Sequence, residues 1–177
     1  MKKYHIEKMF TEEEVDARVE ALAAQISKDY EGRPVHIICM LKGAAFFTCA
    51  LAKRLTVPVT LDFMSASSYG SSTQSSGIVR INKDLDESIE GKDVLVIEDI
   101  IDTGRTLGYI LGLLGDREPA SLRLCVLLDK PDRRVVEVPV DYTGFEIPDE
   151  FVVGCGMDYD QQCRNLPYIG IVKFDED

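Results

Sequence analysis

Glu98, Asp99 and Asp102 stand immediately ahead of Thr103, Gly104, Arg105 and Thr106 in the run EDIIDTGRT, which continues the apolar stretch DVLVI. The apolar residues read as a buried strand over 93–98 and the pattern from 104 to 115 as a helix, so the run is a strand-to-helix turn. Backbone N–H groups that open a helix have no intrahelical partner and lie at the positive end of its dipole. Residues 103–106 therefore make a cradle for a phosphate. Gly104 lets the backbone approach a ligand closely, and Thr103, Thr106 and Arg105 add donors. The run contains neither a Walker loop nor a GxGxxG fingerprint, which points to a phosphate outside the usual triphosphate and dinucleotide sites. Glu98 and Asp99 cannot bind that phosphate. They suit sugar hydroxyls or a hard cation such as Mg²⁺, while Asp102, one turn further on, is free to exchange a proton. Acids at a helix start also stabilise its dipole, by a few tenths of a kcal/mol to about 1. Two acids, two isoleucines, a third acid and TGRT in one block point beyond that to a site.

The elements that must position this turn alternate. Thr11–Asp29 opens with Thr11 and Glu14 in capping-box spacing and carries Val15, Val19, Leu22, Ala23 and Ile26 at helical intervals. A strand is expected at 36–41, a helix at 43–55, a strand at 57–64, a strand at 122–128, and short strands at 151–154 and 168–174. SSYGSSTQSSG at 67–77 has no residues that could pack a face and reads as a mobile loop. Apolar strands alternating with helices predict an α/β fold with a mostly parallel, doubly wound sheet, whose ligands bind at the carboxyl ends of the strands.

A chain of 177 residues without repeats or linkers predicts one domain. The net charge of −11, from 31 acids and 20 bases, argues against nucleic acid or an anionic membrane as a partner. No apolar run is long enough to span a bilayer and MKKYHIEKMF lacks the apolar core of a signal peptide, so a cytoplasmic protein is expected. Five cysteines without CxxC spacing read as reduced small hydrophobes.

EDIIDTGRT resembles the phosphoribosyl-pyrophosphate (PRPP) signature of the type I phosphoribosyltransferases, in the form carried by their hypoxanthine-guanine members. LKG at 41–43 is similar to that family's pyrophosphate loop, SSYG at 67–70 to its lid and LLDK at 127–130 to its purine-side lysine segment. GFEIPDEFVVG at 144–154 resembles its base-stacking segment, and DYDQQCRNLPYIG at 158–170 its metal and pyrophosphate segment. The motifs run in the family's order over nearly the whole chain.

The resemblance implies a type I phosphoribosyltransferase fold: a central mostly parallel sheet flanked by helices, a small hood, and a flexible active-site lid at about 67–80. It implies transfer of 5-phosphoribosyl from PRPP to a 6-oxopurine, with Mg²⁺ as cofactor. Thr103, Gly104, Arg105 and Thr106 then hold the 5′-phosphate; Glu98 and Asp99 engage ribose and Mg²⁺; Asp102 is the general base at purine N7. Lys130 donates to the 6-oxo group, Phe151 stacks on the ring, and the Val152 backbone reads its edge. Asp158, counted with the purine-binding residues, holds a second Mg²⁺ on the pyrophosphate, and Lys42, Gly43 and Arg164 take the pyrophosphate itself, with a cis peptide implied between Leu41 and Lys42. Ser68 and Tyr69 cover the reactive carbon. Cys155 and Cys163, where aromatic residues are frequent, would loosen the floor of the base pocket. A homodimer or homotetramer is implied, with the region near the pyrophosphate loop at the interface. Arg134 reads either as support for the ligand side or as surface charge. An RNA-binding regulator on the same scaffold would need a basic face, against the −11 charge, and a phosphate-binding domain without catalysis would not need the Asp102, Lys42 and Arg164 set.

Overall fold

The computed structural model of the chain describes residues 3–68 and 79–174. Their elements run β1 (Tyr4–Phe10), α1 (Glu12–Asp29), β2 (Val35–Met40), α2 (Ala45–Ala52), β3 (Val59–Ser68), β4 (Val79–Lys83), β5 (Asp93–Ile101), α3 (Arg105–Gly115), β6 (Ser121–Asp129), β7 (Tyr142–Glu146), β8 (Val152–Val153) and β9 (Ile169–Phe174). Thr11 caps α1 as its spacing predicts. Its Oγ1 accepts the Glu14 N–H at 3.2 Å, and Glu14 Oε2 accepts the Thr11 N–H at 2.8 Å. The periodic face, Val15, Val19, Leu22, Ala23 and Ile26, is buried.

The main sheet has the order β4-β3-β2-β5-β6-β7 and is parallel except at the β3–β4 pair. From β2 the chain crosses through α2 to β3 on one side, and from β5 it crosses through α3 to β6 on the other. Crossovers of one hand that leave in opposite directions put α2 and α3 on opposite faces and open a crevice where the strand order reverses. That switch point lies between β2 and β5, so the turns after Met40 and after Ile101 meet there. Residues 94–97 and 124–128 are covered on both faces, which explains their continuous apolar runs.

A second, antiparallel sheet, β1-β9-β8, forms a small hood over the carboxyl end of the main sheet's last strands. Phe10 of β1 stacks on Phe145 of β7 with ring centroids 4.1 Å apart. Among the described residues no helix is long and apolar enough to cross a membrane.

Three strands escape the sequence pattern: β1, β4 and β7. Each is short or polar on its own and is a strand because of what it pairs with. β7 even contains Gly144, whose Cβ position would lie 2.3 Å from the Leu127 carbonyl oxygen, a close backbone approach that excludes any side chain. The boundaries of the expected loop are corrected too. Ser67 pairs with Arg80 and Ser68 with Val79, so these four belong to a ladder rather than to a loop over 67–77 or a lid over 67–80. The lid candidate Ser68 is the last residue of β3, and Tyr69 lies outside the described residues.

The cysteines are free, Cys39 and Cys125 lying in the core. Burial pushes the Cys39 thiol up to about 11 and the Cys125 thiol higher, as expected for inert small hydrophobes.

His36 on β2 is buried, with Nδ1 2.7 Å from Thr60 Oγ1 and Nε2 lacking a partner among the described residues. Burial, helped by Lys92 and opposed by Asp62 and Glu87, lowers its pKa below the usual 6.5. The unfolded chain therefore binds this proton more readily, and the stability present above about pH 6.5 is lost as pH falls through that value. Urea midpoints should fall more steeply between pH 7 and 5 for the parent than for His36→Gln, and parallel curves would refute this.

Candidate active site

β5 continues to Ile101, three residues past the expected end, because Ile100 and Ile101 pair with Leu128 and Asp129 of β6. Glu98, expected to end the strand, and Asp99 beyond it therefore both lie within β5, near its carboxyl end. Asp102 follows at once, and Gly104 caps α3 with φ +77°. A Cβ at Gly104 would lie 2.5 Å from the Val136 carbonyl oxygen, so both handedness and space demand glycine. Gly104 offers no capping side chain, and the Arg105 N–H meets Thr103 Oγ1 at a long 3.4 Å. The start of α3 thus faces a cavity of about 210 Å³ lined by Glu98, Asp99, Asp102, Gly104 and Thr106. Asp102, exposed, accepts the Thr103 N–H at 2.5 Å.

The turn after β2 closes the other wall. The Leu41–Lys42 peptide is cis, as the resemblance implied. A Cβ at Gly43 would lie 1.7 Å from Asp99 Oδ2, so only glycine lets this turn reach the carboxylate. Gly156, at φ +104°, seats on the other side of the same turn, and a Cβ there would lie 1.9 Å from the Gly43 carbonyl oxygen.

The segment after Gly156 brings the cations in. Arg164 donates to the Gly156 carbonyl at 2.7 Å and pairs with Asp158 at 2.8 Å. Gln161 Oε1 lies 3.2 Å from both Lys42 Nζ and Arg164 Nη2, so one amide gathers the two cations expected at the pyrophosphate. Asp158 also accepts the Gln161 N–H at 2.7 Å, which engages both of its carboxylate oxygens. Cys155, Asp160, Gln161 and Cys163 all have left-handed φ between 50° and 70°, a concentration of backbone strain of the kind found at binding sites.

On the base side, the Lys130 N–H donates to the Ile101 carbonyl at 2.9 Å, which places Lys130 beside Asp102. Arg134 turns out to be support: its guanidinium donates to the Asp102 carbonyl at 3.0 Å and pairs with Asp129. Phe151 presents a half-exposed ring, held edge-on by Tyr159 at 5.7 Å. The Val172 N–H donates to the Phe151 carbonyl at 2.8 Å, so the next pair, Val152 with Ile171, is a non-hydrogen-bonded one. Because β8 is an edge strand, the Val152 N–H and C=O face outward. Cys155 does not face Phe151. It lines an apolar cleft of about 230 Å³ with Val15, Val19, Phe46 and Leu166, so the loosened floor expected there lies elsewhere. Cys163 lies 3.8 Å from the Tyr4 hydroxyl.

The expected residues after β2 and β5, at the start of α3, at Lys130, and on the hood thus converge on the switch point. Gln161 and Asp149, which contacts Lys130, fall inside the 158–170 and 144–154 segments, but neither is singled out there, since a glutamine or aspartate in a polar loop is ordinarily solvated.

The donor set suits Mg²⁺. Burial raises the pKa of Glu98 well above the carboxylate range, with the neighbouring Asp99 charge adding to it, and burial raises Asp99 as well. Two crowded carboxylates short of positive charge are what a cation offsets. Mg²⁺ keeps several of its waters and binds through one or two carboxylates plus ligand oxygens, which a pair of neighbouring carboxylates suits. A raised acid pKa means that the folded state retains a proton the unfolded chain releases, so metal-free stability falls as pH rises above the ordinary Glu value. Glu98→Gln should therefore be more stable than the parent at pH 8 without Mg²⁺, by on the order of 1 kcal/mol in urea unfolding, and less stabilised by added Mg²⁺. Equal stability of the two proteins would contradict this.

The phosphoribosyl transferase domain family matches residues 6–160. A hypoxanthine phosphoribosyltransferase of Haemophilus influenzae is 50% identical over 179 residues, covering 99% of this chain and 100% of that protein. A hypoxanthine-guanine phosphoribosyltransferase of Streptococcus thermophilus is 46% identical over 165 residues, covering 93% of this chain and 92% of its own length. The crystal structure of a hypoxanthine phosphoribosyltransferase from Staphylococcus aureus superposes with a TM-score of 0.91 at 50% identity, over 94% of this chain and 91% of that one. With a matching domain family, a shared fold and near-complete coverage, this chain belongs to the phosphoribosyltransferase family.

Proposed function

We infer that the protein transfers the 5-phosphoribosyl group of PRPP to hypoxanthine and guanine, a purine salvage reaction giving IMP or GMP and pyrophosphate. The observation that carries this reading is the hydrogen bond from the Lys130 N–H to the Ile101 carbonyl, at 2.9 Å. It sets residue 130, which bears an ammonium, beside residue 102, which bears a carboxylate. A 6-oxopurine presents N7 and O6 along a single edge, and an acid and an ammonium borne on adjoining backbone suit that edge. Adenine would set an amine donor against the Lys130 donors, a mismatch costing about 1–3 kcal/mol.

In the forward direction purine N9 forms a bond to the anomeric carbon as the bond from that carbon to pyrophosphate breaks, the leaving oxygen keeping the electron pair. Asp102 takes the N7 proton, which makes the base a better nucleophile. The N–H groups opening α3, with Thr103, Arg105 and Thr106, hold the 5′-phosphate so that the sugar does not move. Lys42, the Gly43 N–H and Arg164 receive the charge that develops on pyrophosphate. Lys42 and Arg164 already converge on Gln161 Oε1, whose place pyrophosphate oxygens would take. Phe151 stacks on the base and the outward-facing Val152 backbone reads its edge. Glu98 and Asp99 would hold Mg²⁺ and the ribose hydroxyls, with Asp158 serving a second ion. Mg²⁺, when bound, supplies positive charge to the pyrophosphate oxygens. Ser68, at the end of β3, and Tyr69 beyond it would exclude water from the reactive carbon.

Residues 1–177 act as one domain on this reading. Phe46, 50% exposed on the helix that follows the Lys42–Gly43 turn, is where a second copy would pack in a homodimer or homotetramer.

A spectrophotometric assay with PRPP and Mg²⁺ and each of hypoxanthine, guanine, xanthine and adenine tests the reading. Turnover of hypoxanthine or guanine is expected, and Asp102→Asn should lower kcat by roughly a hundredfold to ten-thousandfold while still binding PRPP. A folded protein that binds PRPP but turns over none of these bases would overturn it. Gly43→Ala, which drives a methyl group into Asp99, should cost at least about tenfold in kcat/KM, and full activity in that variant would show that the turn is not held where the structure has it.

A further inference from the structure

We propose that Asp149 is a positioning residue for base recognition, aiming the Lys130 ammonium at the purine 6-position. The proposal rests on the 6-oxopurine reading above and gives a role to a residue of the 144–154 segment that the resemblance leaves without one. Asp149 Oδ1 lies 3.5 Å from Lys130 Nζ, and Asp149 Oδ2 lies 3.2 Å from Arg133 Nη1. The carboxylate is thus gripped from both sides. The Lys130 side chain is 12% exposed and Arg133 47%, so Lys130 is the inner partner and Arg133 the outer one.

An ammonium carries three donors on a flexible four-carbon stem, and in water its direction is poorly defined. Lys130 is largely withdrawn from water, so protein acceptors decide where its donors point. Asp149 takes one of them and turns the others towards the neighbouring pocket, where a 6-oxo group can accept. It also balances the lysine's charge, so that the ammonium acts on a neutral base as a directed donor rather than as an unpaired cation open to any anion.

Asp149 also sits at the joint between two walls of the base site. Two residues on is Phe151 and three on is Val152; behind it, the Ile147 N–H donates to the Asp129 carbonyl at 2.8 Å. The Glu150 N–H donates back to the Pro148 carbonyl at 2.8 Å, which makes 148–150 a tight turn. The Asp149–Lys130 pair therefore spans from the ring-stacking segment to the 6-oxo donor, and sets one against the other. A change at this pair should reach base binding and the choice between 6-oxo and 6-amino purines before it reaches PRPP, whose contacts lie on α3 and the Lys42–Gly43 turn.

The test is steady-state kinetics of the full chain with hypoxanthine, guanine and adenine varied at saturating PRPP, and PRPP varied at saturating hypoxanthine. Asp149→Ala and Asp149→Asn should raise KM for hypoxanthine and guanine about tenfold, leave KM for PRPP within about twofold, and narrow the preference for hypoxanthine over adenine. Asp149→Glu keeps the charge and should recover most of the hypoxanthine KM. Arg133→Ala removes only the outer tether and should raise it about two- to threefold, so a variant at Asp149 that failed to fold would not shield the proposal. An unchanged hypoxanthine KM in these variants, or a parallel rise in the KM values for hypoxanthine and PRPP, would overturn it. Absence of 6-oxopurine turnover in the parent would instead bring down the functional reading, and this proposal with it.

Discussion

The approach of Gly43 to the Asp99 carboxylate is the constraint on which the rest of this molecule turns. Any Cβ at position 43 would fall inside the carboxylate, and any Cβ at 156 would fall on the carbonyl of Gly43. Three chain segments, after β2, on β5 and after β8, are thus stacked backbone against side chain with no room between them. That stack lies at the point where the strand order of the sheet reverses, because only there do the ends of β2 and β5 come side by side. Moving any one layer outward would separate the acids from the cations that must act with them.

The electrostatics of the site run against those of the whole chain. A protein with a net charge of −11 repels polyanions at long range, so an anionic ligand has to be captured by local groups. On the proposed reading those groups are the opening of α3, Lys42 and Arg164, each placed by a backbone turn rather than by a basic surface. Against them stands the crowded Glu98–Asp99 pair, whose carboxyl pKa values are raised chiefly by burial, with the Asp99 charge adding to the shift at Glu98. On the proposed reading, one cavity thus pairs a helix opening suited to phosphate with carboxylates suited to a cation, and PRPP with Mg²⁺ carries both kinds of charge.

The loop that follows β6 joins the two halves of the site. The Thr103 carbonyl accepts N–H groups from both Val135 and Val136 at 3.0 Å, while Arg134 grips the Asp102 carbonyl and the Asp129 carboxylate. The phosphate cradle, the proposed base Asp102 and the proposed purine donor Lys130 are therefore one mechanical unit. A rigid unit of this kind holds reacting groups in register without reorganisation during the reaction, which is where positioning contributes most to rate.

The sequence alone determined the α/β alternation, the capped first helix and the strand-to-helix turn at 98–106. These are local properties: hydrophobic period, capping spacing, and glycine where the backbone must turn. The family motifs extended the reading to Lys42, Lys130, Phe151, Asp158 and Arg164, whose types taken singly suit ordinary surface or core positions. Only the tertiary structure decided that YHIEKMF, VRINK and YTGFE are strands, since each is an edge strand stabilised by its pairing: β1 with distant β9, β4 antiparallel to β3, and β7 parallel to β6. Only it turned Arg134 inward, directed Cys155 away from the base side and gathered Lys42 and Arg164 on Gln161. Side-chain direction at such positions depends on which backbone groups lie within about 3 Å after folding, and those neighbours come from distant parts of the chain that no local pattern encodes.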